Sequence, residues 1–203
     1  MIIRKTFIAA TACLVALSCV NASIEDAHLN DRVVKSSITL SLESSRTQLG
    51  EKADDIYPLY WSEGDKISVN GIESGEAIID SDPTRATFEL FNEVEGDLHI
   101  AYPAAAEGKV VFAKNQHHTN NTTFGKGAAT MYGIKRGEYI ELKHLTGVLK
   151  IGIVGSATLQ KVQITSADYT PIAGVFDINF DTGEIAPTTE SSDAITYSFE
   201  DGI

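Results

Sequence analysis

Apolar and polar residues alternate along several short segments of the chain, which is the pattern of a half-buried β-strand. The first such segment holds Ile38, Leu40 and Leu42, which are separated from one another by polar residues. We therefore predict a succession of short strands. The other segments with this alternation contain Ile67 and Val69; Ala86, Phe88 and Leu90; Leu98, Ile100 and Tyr102; Phe176, Ile178 and Phe180; and Ile195, Tyr197 and Phe199.

Two further segments, 148–154 (VLKIGIV) and 159–165 (LQKVQIT), are rich in β-branched residues and are also predicted to be strands. Glycine, asparagine and aspartate separate the predicted strands, as turns require. The best helical candidate, 103–109, is cut short by Gly108. Many short strands with turns between them favour an all-β sandwich.

The segment YWSEGDKISVNG, residues 60–71, is predicted to be scaffold. Its first two residues should end a strand, with the ring of Trp61 in the core, where it buries a large apolar area. Glu63-Gly64-Asp65 should form a turn whose acidic side chains face water. Asn70-Gly71 is a strong signal for a two-residue hairpin.

The 203 residues suffice for one large domain or two small ones, and 43% hydrophobic residues are enough for a packed core. Acidic residues outnumber basic ones by 28 to 16, and the formal net charge is −12. Because this charge repels phosphate backbones, we expect no nucleic-acid partner.

The N-terminus has the features of an export signal: Arg4 and Lys5 precede the apolar segment 7–17. Residues 16–19 (ALSC) are similar to a lipobox, which predicts a lipoprotein signal peptide over 1–18 and a lipid on Cys19. Ordinary cleavage after 20–22 (VNA) is the alternative. Both cysteines lie in this region, so no disulfide is expected in the mature protein.

After this signal, residues 19–32 are predicted to be a flexible tether, because they are polar and lack periodicity. Residues 33–203 are predicted to form a single domain, since neither an internal repeat nor a proline-rich linker divides them.

Two segments carry residues that could bind metal. His117 and His118 could ligate zinc. Neighbouring residues on a strand point to opposite faces, however, so the two side chains would not reach one metal ion, and we favour a solvated loop over a zinc site. Asp177, Asn179 and Asp181 are similar to the start of a calcium loop, yet the later ligand positions do not match. We interpret the acids as water-facing residues of a strand and turn, and expect no metal.

No nucleophile elbow, zinc-protease motif or phosphate-binding loop is present in the sequence. We therefore expect no catalytic residues, no cofactor and no enzymatic activity. A glycan-binding surface module is an alternative, because exposed tyrosines and the single tryptophan, Trp61, could stack on sugars.

Seven segments, in order, resemble the N-terminal domain of the fimbrillin-like family of exported lipoproteins. The resemblance runs from about Ser45 to the end, which is most of the mature chain. The segments are SRTQLG (45–50), YWSEGDKISVNG (60–71), ATFEL (86–90), IAYPA (100–104), FGKGAATMYG (124–133), LKHLTGVLKIGIVG (142–155) and PIAGVFDINF (171–180).

The resemblance implies a Greek-key, transthyretin-like sandwich on a surface lipoprotein of the outer membrane. Some members are pilus subunits or adhesins that partner with other fimbrillin-type subunits or surface proteins. In those members a protease cuts after an arginine, removes an N-terminal strand and opens a groove for a donor strand. Here 33–42 would be that strand, with Ile38, Leu40 and Leu42 facing inward.

On this scheme Arg46 is the first candidate for the cleavage point and Arg32 is the second. The alternative is that Arg46 is a surface residue that is not cut. Family members usually continue into a second domain after the position of Ile203. The resemblance therefore leaves two alternatives, a minimal member and a fragment that lacks its C-terminal part.

Overall fold

The computed structural model describes residues 33–42, 59–118, 125–137, 139–200 and 202, all of which belong to one compact unit, Val33–Ile203. The described residues form fourteen strands and no helix, which confirms the predicted all-β class. The strands are β1 Ser36–Ser41, β2 Ser68–Val69, β3 Ile72–Glu73, β4 Ile78–Ile79, β5 Arg85–Leu90, β6 Leu98–Tyr102, β7 Lys109–Phe112, β8 Asn115–His117, β9 Met131–Arg136, β10 Tyr139–His144, β11 Lys161–Thr165, β12 Gly174–Ile178, β13 Ile185–Pro187 and β14 Ala194–Ser198.

These strands form four sheets. The largest has five strands in the order β10-β9-β6-β2-β3. The other three have three strands each, in the orders β1-β5-β4, β13-β12-β7 and β11-β14-β8. All pairings are antiparallel except β14 with β8. Face-to-face packing of such sheets is consistent with a β-sandwich.

The main core lies between the sheet β1-β5-β4 and one face of the five-stranded sheet. Alternate residues of each strand point into it, as the period-2 pattern predicts. Its buried members are Ile38, Leu40, Leu42, Trp61, Ile67, Val69, Ala86, Phe88, Leu90, Ile100, Tyr102, Met131 and Leu142.

A second core covers the opposite face of the five-stranded sheet. There Ala101 of β6 and Tyr132 of β9 meet Val110 of β7 and Phe176 of β12. Since neighbouring residues on a strand face opposite ways, β6 and β9 contribute to both cores. The five-stranded sheet is therefore covered on both faces.

The hairpin predicted at Asn70-Gly71 is confirmed. Val69 pairs with Ile72, and the two turn residues have φ angles of +49° and +78°. Positive φ at both central positions is the signature of a type I′ turn, which suits Asn-Gly. Residues 60 and 61, in contrast, do not end a strand, because none is assigned between 59 and 67.

The prediction of a strand at 148–154 is wrong. These residues adopt no regular structure, whereas β11 occupies 161–165 within the other predicted segment. The short polar strand β8 was not expected from the sequence, because it lacks apolar alternation. A search of the described residues finds no helix that is long and apolar enough to cross a membrane.

Candidate functional site

Strand β1 lies at the edge of its sheet and, among the described residues, pairs with β5 alone. The pairing covers six residues, from Ser36 opposite Leu90 to Ser41 opposite Arg85. The N–H of Leu42 extends the ladder by donating to the carbonyl of Thr84 at 2.8 Å. Within the described residues, the backbone of β1 is thus hydrogen-bonded along one edge only.

The inward side chains of β1 and the residue after it are almost fully buried. Ile38, Leu40 and Leu42 are 3%, 1% and 1% exposed and belong to the main core. Burying such a side chain stabilises a fold by about 1.5–3 kcal/mol. Removal of β1 would therefore uncover both an apolar groove and the backbone edge of β5.

The outward face of β1 is polar. Ser37, Thr39 and Ser41 are exposed, and the hydroxyl of Thr39 lies 2.8 Å from that of Thr87 on β5. Such a cross-strand hydrogen bond favours one register of the pair. One face of β1 therefore supplies burial, and the other supplies a water-facing surface.

Trp61 is buried in the main core, as the sequence predicts. It is 2% exposed, and its ring packs edge-to-face on Phe88 and Tyr102, with centroids 5.0 and 5.4 Å away. Its indole Nε1 is buried without a hydrogen-bond partner among the described residues. A buried ring cannot stack on a sugar, so Trp61 does not support the glycan-binding alternative. The tyrosines behind that alternative include one that is exposed, Tyr169.

Asp65 is buried, and the prediction that it faces water is wrong. The hydroxyl of Tyr102 donates to its Oδ1 and the N–H of Ser62 to its Oδ2, both at 2.8 Å. Desolvation raises the pKa of Asp65 despite these hydrogen bonds. Burial, followed by the nearby Asp65 charge, raises the pKa of Tyr102 as well.

Sequence inspection missed this pair because Tyr102 lies 37 residues from Asp65. The hydroxyl of Tyr102 also accepts a hydrogen bond from the N–H of Gly127 at 3.2 Å. The pair therefore links the turn that follows Trp61, the end of β6 and the segment before β9. Donors hold both carboxylate oxygens of Asp65, an arrangement suited to fixing loops rather than to proton transfer.

A shallow recess of about 220 Å³ opens beside this pair, between the turn at Gly64 and the segment after β6. The ammonium of Lys126 crosses its rim and donates to the carbonyl of Glu63 at 3.0 Å. Lys66, which also lines the recess, forms an ion pair with Glu73 at 2.8 Å. Both lysines are thus engaged with the protein itself.

His117 lies in strand β8 rather than in the predicted loop, although it is exposed as expected, and His118 follows the strand directly. His117 ends β8, and its Nδ1 lies 2.9 Å from the hydroxyl of Ser198. His118 is half-buried, with its ring centroid 5.0 Å from that of Phe199. Within the described part of the chain, no group of three or more histidine, cysteine or acidic residues could hold a metal ion.

The acids of segment 177–181 are exposed and engaged in ion pairs. Asp177 contacts Lys109, and Asp181 accepts a hydrogen bond of 2.5 Å from Arg136. The hydrogen bonds of Arg136 to Asp181 and, to a smaller extent, to Asp97 raise the pKa of Arg136. The backbone turns at 180–182, as the sequence predicts. The arrangement is that of surface ion pairs.

The structure locates the predicted inner-strand residues and leaves the other predicted sites untested. Ile38, Leu40 and Leu42 come together in the main core. Cys19, Arg32 and Arg46 lie outside the described residues, as do the predicted signal peptide and tether.

Comparison of the chain with known proteins gave no match to a family model, to a curated protein or to a solved structure.

Proposed function

We propose that the chain is a non-enzymatic, fimbrillin-like surface protein that serves a structural or adhesive role through strand addition. The observation that carries this proposal is β1, an edge strand that pairs only with β5 among the described residues and fills the main core with three side chains. In this proposal the domain is a transthyretin-like Greek key. Partners are other fimbrillin-type subunits or surface proteins.

The exchange would proceed by removal of β1 after cleavage at Arg46; cleavage at Arg32, the second candidate, would release only the residues that precede β1 and leave the strand attached. The groove left behind would have the N–H and C=O groups of β5 along one side and Trp61 and Phe88 among its lining residues. An incoming strand must supply both a hydrogen-bonding backbone and apolar side chains at alternate positions. These two requirements define the donor.

The test combines proteolysis with strand replacement. Treatment with an arginine-specific protease should shorten the chain and generate a form that binds a synthetic peptide of residues 33–42. Fluorescence of Trp61 reports the change, because the indole packs against core residues that β1 covers. Arg46→Ala should abolish the shortened form, whereas Arg32→Ala should leave it.

A matched pair of peptides tests the geometry of the groove. A peptide with Leu40→Asp should fail to bind, because this side chain is buried and an unpaired charge there is costly. A peptide with Ser37→Asp should bind like the original, because Ser37 is exposed. Equal binding of both peptides, or no shortened form at all, contradicts the proposal.

We further propose that the protein is anchored in the outer membrane by a lipid on Cys19. The lipobox-like sequence ALSC supports this attachment. Metabolic labelling with a radioactive fatty acid should mark the wild-type protein and not Cys19→Ala, with Cys13→Ala as the control that keeps the label. Label that persists in Cys19→Ala would show that another residue is acylated.

A further inference from the structure

The segment 148–154, VLKIGIV, exposes a run of large apolar residues. Leu149, Ile151 and Ile153 are 70%, 51% and 54% exposed, and Val148 and Val154 are also exposed. Isolated apolar residues on a surface are common, but a contiguous apolar patch marks an interaction surface.

The backbone of this segment also lacks hydrogen-bond partners in the part of the chain that the structure describes. No backbone hydrogen bond joins residues 146–158 to another described residue, although the composition is that of a strand. A backbone whose N–H and C=O groups have no partner among the described residues can be satisfied by a second strand. It is a poor match for a lipid surface, because unpaired backbone groups are costly in hydrocarbon.

The local charge permits close approach of another acidic chain. Residues 142–167 contain three lysines and no acidic residue, in a chain whose net charge is −12. The rest of the chain therefore carries −12 − 3 = −15. Acidic side chains, which repel between copies of an acidic protein, are absent from this segment, and its own charge is limited to three lysines spread over residues 142–167.

The order of residues in 148–154 is close to palindromic. If two copies run antiparallel with Ile151 opposite Ile151, Leu149 lies opposite Ile153, and Val148 lies opposite Val154. Lys150 then faces Gly152 rather than another lysine. Shifting the pair so that Lys150 faces Lys150 would set like charges opposite each other, which is destabilising.

We propose that residues 148–154 form a homodimer interface, in which two copies of the chain pair as antiparallel strands about a two-fold axis at Ile151. Leu149, Ile151 and Ile153 of both copies share one face of the two-stranded ribbon. A two-fold interface is self-complementary, as the near-palindrome requires. This interface is separate from the β1 groove, so neither proposal depends on the other.

Disulfide cross-linking tests the register in the full chain with Cys13 and Cys19 replaced by serine. Ile151→Cys should form linked dimers under mild oxidation, because directly opposite residues have Cα atoms about 4.5–5.5 Å apart. Leu149→Cys or Ile153→Cys alone should give no linked dimers, since each lies about 13 Å from its own copy. The two changes combined should again give linked dimers.

Sedimentation of the full chain over a range of concentrations tests the interface without cysteines. Wild type should show a monomer–dimer equilibrium. Ile151→Lys should weaken the dimer by more than about tenfold, because it sets like charges opposite each other at the two-fold axis. Ile185→Lys, a matched change of an exposed isoleucine on β13, should dimerise like wild type.

Mixing Ile151→Lys with Ile151→Glu should restore dimers, since opposite charges then face each other. Thermal unfolding at the wild-type temperature would show that both variants fold, as expected for an exposed position. A wild type that is monomeric throughout, or equal cross-linking of all three single cysteine variants, would overturn the proposal. Binding of phosphatidylglycerol–phosphatidylcholine vesicles that Ile151→Lys abolishes would assign the segment to lipid instead and also overturn it.

Discussion

The segments 36–42 and 148–154 are similar in length and rich in apolar residues, but the structure treats them differently. In the first, three apolar side chains are buried and six residues pair with β5. In the second, the apolar side chains are exposed and the backbone pairs with nothing among the described residues. A strand-like sequence therefore forms a strand only where the fold supplies both a neighbouring strand to pair with its backbone and a core to bury its side chains.

The energetic contrast between the two segments follows from burial. The side chain of Leu40 is surrounded by the main core, whereas that of Leu149 is 70% exposed. The same chemical group thus contributes a large hydrophobic term at one position and little at the other. Paired substitutions can test this difference directly.

The largest expected effect comes from Leu40→Ala compared with Leu149→Ala. The first should lower the free energy of unfolding by about 2–5 kcal/mol, because it leaves a cavity in the core. The second should change it by less than about 0.5 kcal/mol in the monomer, because the side chain already faces water. Urea denaturation of both variants at low protein concentration measures the two values, and similar losses would break the comparison.

A smaller, pH-dependent effect distinguishes two aspartates outside these segments, the buried Asp65 and the exposed Asp168. Burial raises the pKa of Asp65 above its ordinary value of 3.8, while a hydrogen bond from Ser166 lowers that of Asp168, just after β11, to about 2. The folded state therefore binds the Asp65 proton more tightly than the unfolded state does. It binds the Asp168 proton less tightly.

The signs of the two contributions are opposite. The Asp65 contribution to stability is fully present below pH 3.8 and is lost as the pH rises through the raised pKa. The Asp168 contribution is present above pH 3.8 and is lost as the pH falls through about 2. Urea denaturation across this pH range gives the difference in the free energy of unfolding between wild type and each of Asp65→Asn and Asp168→Asn. Plotted against pH, the two differences should slope in opposite directions. Parallel slopes would show that Asp65 is not desolvated.

Much of the fold could be predicted from the sequence, because the strands of the main core carry their own periodicity. The alternation of Ala86, Phe88 and Leu90 identifies β5, and Asn70-Gly71 identifies the hairpin between β2 and β3. Both are local signals, so neighbouring residues suffice to specify them.

The errors concern properties that distant residues decide. Asp65 follows a glycine in a turn, which predicts exposure, and its burial depends on Tyr102 from β6. The polar strand β8 exists because β14 offers it a parallel edge, not because of its own composition. The candidate site was predictable as far as the inner face of β1, while its edge position could be established only from the sheet order.

The sheet at the centre of the molecule has a consequence for how the domain comes apart. Ile100 and Ala101 are consecutive residues of β6, yet each is embedded in a different core. Unfolding of either core would expose one face of β6, so the two cores depend on the same strand. We therefore expect both cores to unfold in a single calorimetric transition. We also expect a destabilising substitution of Phe176 to lower the protection of the Ile100 amide against hydrogen exchange.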